Sequence, residues 1–379
     1  MDFEPTDEHK AFRDRARRFA EAEIRPGAAD MDAGRVHPAA LIRQLGQEKL
    51  MGVAAPAEDG GCGLDPVSYV LGLMEVSRAC ASAGALMFVQ NSLYGFPLVA
   101  HGNPEQKKRY LHPCTRGEAI GAFVLPATAA GSGLSDLHTT AVRTHRGWDL
   151  KGGEPRVAGG GLASFCMLPA LGGTGKREGE ISLFAVDLRE TPGFKKGPEE
   201  VTFGLSGLGS AGMMFERAEV PAEAVVGNPG EGRAILRRLR ARGWVGAAAL
   251  ALGIGRAVQE ESLRHAKPIL SVQGVQWRLA DMATELDAGE LLVMKAAWLE
   301  DRGKPFEREA AMACMAASEG VMKSSIEGLQ MMGEEGCAKG SPMERHMRDA
   351  KMCQILHGPH DTMRSVVSGH LVPGAKRSS

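Results

Sequence analysis

The chain has 379 residues, enough to bury a large core shared among two or three packed parts. Hydrophobic residues make up 44% and charged residues 24%, with a formal net charge of -1. That balance excludes any bulk field suited to nucleic acid or an anionic membrane. Seven cysteines without a Cys-x-x-Cys pair fit a reducing compartment better than a disulfide framework. The start, Met1-Asp-Phe-Glu-Pro-Thr-Asp-Glu, is acidic, and no run of 18 apolar residues occurs. The expectation is a cytoplasmic protein with neither a secretory leader nor a membrane span.

Residues 6–117 read as helices, because apolar positions such as Phe12, Ala16 and Phe19 recur at three-to-four spacing. Pro56 to Asp65 is a Gly-rich loop, and the helical pattern resumes from Val67 to Ala100. Residues 118–226 change period. Short apolar runs at Ile120–Leu125, Phe165–Leu168, Ile181–Val186 and Met213–Phe215 alternate with Gly-rich turns, which predicts strands. From Gly230 the pattern is helical again, with segments near 232–266, 272–301, 304–332, 343–356 and 360–370. An α+β chain in three parts follows: a helical domain over 1–117, a β domain over 118–228 and a helical bundle over 229–379. The cluster Arg233, Arg237, Arg238, Arg240 and Arg242 reads first as a solvated helix face.

Several segments carry a further signal when taken together. Ser341-Pro-Met-Glu-Arg-His-Met-Arg-Asp-Ala-Lys351 closely resembles the Pro-x-Glu-Arg-x-x-Arg-Asp-Ala-Lys segment of the acyl-CoA dehydrogenase family. Asp59-Gly-Gly-Cys-Gly-Leu64 resembles that family's Gly-Gly-x-Gly loop after the second helix. Phe215-Glu-Arg-Ala-Glu-Val-Pro-Ala-Glu223 and Gln273-Gly-Val-Gln-Trp-Arg-Leu-Ala-Asp-Met282 follow in the family's order and spacing. The resemblance covers about residues 1–372. It implies a middle β-barrel or sheet domain and a C-terminal four-helix bundle. It also implies FAD held between them, and an acyl-CoA or other acyl thioester laid against the flavin. A homodimer or homotetramer is implied too, and a paralogous subunit is an alternative.

The resemblance places the family's chemistry on particular residues. Its catalytic glutamate stands in an Ile-x-Glu-Gly-Thr loop, which here reads Ile355-Leu-His-Gly-Pro359, so His357 takes that slot. The alternative base position, on the first bundle helix, falls at Gly243. His357 then reads either as a substitute base or as a polar filler, with Pro359 as the first residue of the next helix. As a base it serves a dehydrogenase, or a non-redox lyase or isomerase acting on an acyl-CoA; as a filler it belongs to a catalytically silent subunit of a heteromer. A metal at His357, His360 and Asp361 is the weaker reading, and no metal is expected.

Of the FAD set, Gly131, Ser132, Gln330 and Gly333 match the pattern, while Ala158 stands in a threonine slot and Arg156 in a tryptophan slot. Pro126 removes an N–H donor, and Glu334 and Glu335 bring negative charge where a diphosphate would pass. FAD binding is therefore expected to be weakened or lost. Arg240 and Arg242 are placed to meet a CoA phosphate, and Trp244 to line the pocket or the core.

Overall fold

A computed structural model describes residues 4–124, 137–172 and 180–372. The first third is helical. Helix α1 (Asp7–Phe19) opens on a capping box in which Thr6 accepts from the His9 N–H and His9 answers the Thr6 backbone. Helix α2 (Ala39–Gln47) follows. Helix α3 (Pro66–Ala79) starts at Asp65, which accepts the Ser68 N–H at 2.7 Å, with proline at the position where no N–H is needed. Helix α4 (Ala81–Phe88) runs into a π-helical turn (Val89–Tyr94) and then α5 (Gly95–His101).

Eight strands among the described residues form one mixed sheet, β1 (Gly121–Phe123) to β8 (Val225–Val226). Its order is β6 (Phe194–Glu200), β7 (Ser210–Pro221), β3 (Gly147–Val157), β2 (Thr140–Arg143), β4 (Phe165–Leu171), β5 (Ile181–Asp187) and β8, with β1 parallel to β4 off that path. The long antiparallel pair β3 (Gly147–Val157) and β7 (Ser210–Pro221) is bulged at Gly152 and again before Val157. Gly152 and Gly153 have φ of +129° and +127°, a region open to residues without a Cβ.

The last third holds α6 (Gly232–Ala266), α7 (Gln273–Asp301), α8 (Glu307–Met332), α9 (Pro342–Cys353) and α10 (His360–Leu371). Helix α9 stops three residues short of the predicted end. Gly358, at φ +95°, and Pro359 turn the chain, and a proline disfavours helical geometry in the residue before it. Pro359 is also not the first helical residue. It lies just outside, in an extended conformation, and α10 begins at His360.

Two apolar cores result. The sheet has its own, built on Trp148, Phe184 and Phe215. The first and last thirds share the other, with α3 and α4 packed on α6. Glycines on α6 permit that approach: a Cβ at Gly253 would meet Ser77, and one at Gly246 would lie 2.7 Å from the Ser92 hydroxyl. The Pro-Met-Glu-Arg segment ties the parts together. Arg348 donates to Asp32 of the first third at 2.6 Å and to the Phe203 carbonyl of the sheet region at 3.1 Å. Next to it, the buried Asp349 accepts the Leu205 N–H at 2.6 Å.

Candidate active site

His357 is 6% exposed and seats its ring on α6. A Cβ built at Gly243 would fall 2.6 Å from Cδ2 of that ring and closer still to Nε2 and Cε1. The two slots that the sequence assigns to a base therefore meet at one point, and the imidazole occupies the space that a side chain at 243 would need. Phe88 closes the other side edge-on, at 5.9 Å between ring centroids. Trp244, fully buried, donates its indole N–H to the His357 carbonyl at 3.2 Å, which pins the 354–359 turn to α6. Trp244 is thus part of the core and positions the loop.

Burial pushes the His357 pKa down to about 4, because a charged imidazolium loses its hydration there. A hydrogen bond to the Arg240 backbone pulls it upward, and the Arg240 charge pushes it down. The ring is neutral near pH 7. If one ring nitrogen donates to the Arg240 carbonyl, the other carries a free lone pair.

The sign of the pH dependence follows from these shifts. The unfolded chain takes up a proton on His357 below about 6.5 and the folded chain only below about 4. Stability from this group is full above 6.5 and is lost as pH falls through that window. His346, buried and pushed down to about 3, adds to the same trend. Asp349, pushed up to about 7 chiefly by burial, contributes in the opposite sense: its share is full below about 4 and is lost as pH rises toward 7. Denaturant unfolding from pH 7 to 4 will therefore show a fall in stability that is smaller in His357→Phe, by about 3 kcal/mol at the acid end. An unchanged slope in the variant would remove His357 from the explanation.

The arginine cluster is not a uniform solvated face. Arg233, Arg237 and Arg238 are exposed, but Arg240 is half-buried and Arg242 buried. Arg240 meets Glu307 at 2.7 Å, and Arg242 meets Glu300 at 3.2 Å, with both of the latter side chains at most a tenth exposed. Glutamates at the end of α7 and the start of α8 turn these two arginines inward, so neither guanidinium is free for a phosphate. The sequence reading missed Glu300, Glu307 and Phe88, since only the packing of α6 against α4, α7 and α8 brings them in.

A groove of about 910 Å³ runs along the start of α6, bounded by the α7–α8 connection. Arg237, Arg238, Ala241, Lys304 and Phe306 line it. Its carboxylates are engaged: Glu300 by Arg242, Glu307 by Arg240, and Glu309 by Arg308. Arg237, Arg238 and Lys304 make no ion pair among the described residues, which leaves the groove open to an anion.

Among the described residues, the positions expected to hold FAD lie on separate elements. Gly131, Ser132 and Pro126 lie outside the described residues. Ala158 follows β3 in a turn and packs on the helical core without a hydroxyl, and Arg156 is tied to Glu200 at 2.9 Å. Gln330 and Gly333 are exposed at the far end of α8. They lie about 18–22 Å along that helix from Ser318, which touches His360 near the His357 turn. Glu334 and Glu335 follow them, also exposed. The described set fits FAD poorly without a second chain. His360 and Asp361 do not converge with His357: His360 binds Ser318 and Glu319, and Asp361 pairs with Arg364.

Known proteins resemble this chain over nearly its full length. The model for "Acyl-CoA dehydrogenase, N-terminal domain" matches residues 6–118, and that for the C-terminal domain matches 234–372. An acyl-CoA dehydrogenase of Bacillus subtilis (strain 168) is 36% identical, over 97% of this chain and 99% of the relative. The mitochondrial short-chain specific acyl-CoA dehydrogenase of Mus musculus is 35% identical, over 96% of this chain and 90% of the relative. Butyryl-CoA dehydrogenase from Megasphaera elsdenii superposes with a TM-score of 0.92 at 31% identity, covering 98% of this chain and 100% of that one.

Proposed function

Since this chain belongs to the acyl-CoA dehydrogenase family, we propose that it acts on a short acyl thioester, bound to CoA or a carrier, with His357 in the place of the catalytic glutamate and a weakened hold on FAD. One observation carries the reading. His357 is buried, neutral and seated against Gly243, where both family positions for the base converge.

The chemistry follows from that geometry. A thioester whose α-carbon faces the free imidazole nitrogen loses its α-proton to it, and the Arg240 backbone holds the ring's other N–H. The C–H electron pair passes into the thioester carbonyl as an enolate, which takes a proton back from the imidazolium. Phe88 and Trp244 exclude water around the ring, which keeps the imidazole unprotonated. The exposed cations Arg237, Arg238 and Lys304 suit the phosphates of a CoA chain lying in the groove. The short acyl group is carried over from relatives whose names specify short-chain and butyryl substrates. No redox step is assigned to the single chain.

The exposed ends at Gln330 and Gly333 favour a second element of the reading. A flavin site completed by another subunit, a second copy or a paralogue, would place these residues at an interface. Absorbance of the protein purified alone, against the protein co-expressed with a paralogue, separates the two: yellow colour only on co-expression assigns the partner role.

The central test needs no flavin. In D2O, the wild-type protein will wash deuterium into the α-position of butyryl-CoA, and His357→Gln will be slower by about 100-fold. Equal exchange in the two proteins, or none in the wild type, would sink the assignment of His357 as the base.

A further inference from the structure

A second cavity adjoins the groove along α6, where Arg238 and Arg242 stand at helical i, i+4 spacing. Its volume is about 240 Å³, and Met51, Ala54, Ala55, Val99 and Leu111 give it an apolar lining. That is below the ~300–1,000 Å³ of pockets that take drug-sized ligands, so an occupant must be small.

The polar side chains in its wall are already engaged. Gln90 donates to the Gly121 carbonyl at 2.5 Å and accepts the Gly121 N–H at 3.1 Å. Asn91 donates to the Leu50 and Met87 carbonyls, both at 2.9 Å, and accepts the Val53 N–H at 2.8 Å. An ordered water needs ~2–4 polar partners, and these amides offer few. An apolar group is the better occupant of the interior.

The opening is cationic. Arg242 stands over the Phe96 ring at 4.5 Å and is neutralised by Glu300. Arg238 stands over the same ring at 5.3 Å and makes no ion pair among the described residues. Arg238 also borders the charged groove, so it marks the point where the two adjoin.

We infer that this cavity is a binding site for a small aliphatic carboxylate, its tail among Met51, Ala55, Val99 and Leu111 and its carboxylate on Arg238. The Phe96 ring holds the guanidinium in place, so less side-chain freedom is lost when the anion arrives. The site is separate from the His357–Gly243 contact and needs no thioester.

Titration of the full chain with hexanoate, followed by ligand-detected NMR, tests the assignment directly. Hexanoate will bind saturably. Hexanol, with the same tail and no charge, will bind at least tenfold more weakly. Arg238→Gln, an exposed substitution, will lower hexanoate affinity at least tenfold. Ala100→Phe, at the rim, will abolish binding by filling the mouth, and melting curves will confirm that both variants fold. The site is overturned if hexanoate shows no saturable binding, if Ala100→Phe binds it as the wild type does, or if hexanol binds equally well. Because the titration contains no thioester, its failure leaves the α-proton exchange result untouched.

Discussion

Gly243→Ala will both destabilise the protein and stop α-proton exchange, although alanine is the better helix former. The added methyl falls inside the His357 ring, 2.6 Å from Cδ2 and nearer to two other ring atoms. Helix propensity favours alanine over glycine by about 1 kcal/mol. Overpacking a closed core costs about 1–3 kcal/mol, so the clash wins. The ring cannot slide aside easily, because Phe88 stands against it and Trp244 holds its backbone carbonyl. Denaturant unfolding will show the loss, and the double variant Gly243→Ala with His357→Ala will recover most of it. That recovery identifies the clash as the cause, as a coupling measured by a double-mutant cycle. A single variant at least as stable as the wild type, with full exchange, would contradict the described seat of His357.

The second large effect lies one residue away. Arg242→Met will lower stability by about 3–5 kcal/mol, because it strands the buried Glu300 carboxylate without its counter-charge. The guanidinium also covers Phe96, so methionine replaces the stem but neither the charge nor the stacking. Replacing both partners, Arg242→Met with Glu300→Leu, will return to within about 1–2 kcal/mol of the wild type, since the desolvation cost of both charges disappears together. Thermal unfolding of the four proteins in the cycle checks this. If Arg242→Met alone is neutral, Arg242 and Glu300 are not the buried pair described.

Much of the architecture is legible along the chain. The bundle helices stand out because each long segment carries small and apolar residues at helical spacing between clear breakers, and glycines and prolines mark their ends. Strands β4 and β5 are equally plain as continuous apolar runs, being buried on both faces. Strand β6 (Phe194–Glu200) is different. Its residues Phe-Lys-Lys-Gly-Pro-Glu-Glu show no apolar alternation, and only pairing with β7 makes it a strand. The π-helical turn at Val89–Tyr94, which presents Gln90 and Asn91, has no local signature either.

The site divides along the same line. Which residue stands in the base slot is a matter of register along the chain, and so are the glycine at 243, the missing hydroxyl at Ala158 and the acidic pair after Gly333. These are statements about identity and order, which a linear pattern carries in full. Three-dimensional packing decides the rest: that His357 and Gly243 touch, that Arg240 and Arg242 turn inward onto glutamates of other helices, and that Gln330 ends up on the outside. Contacts between residues a hundred positions apart depend on how helices cross. Burial then sets the charge state, because the cost of desolvating an imidazolium is a property of the surroundings and not of the histidine itself.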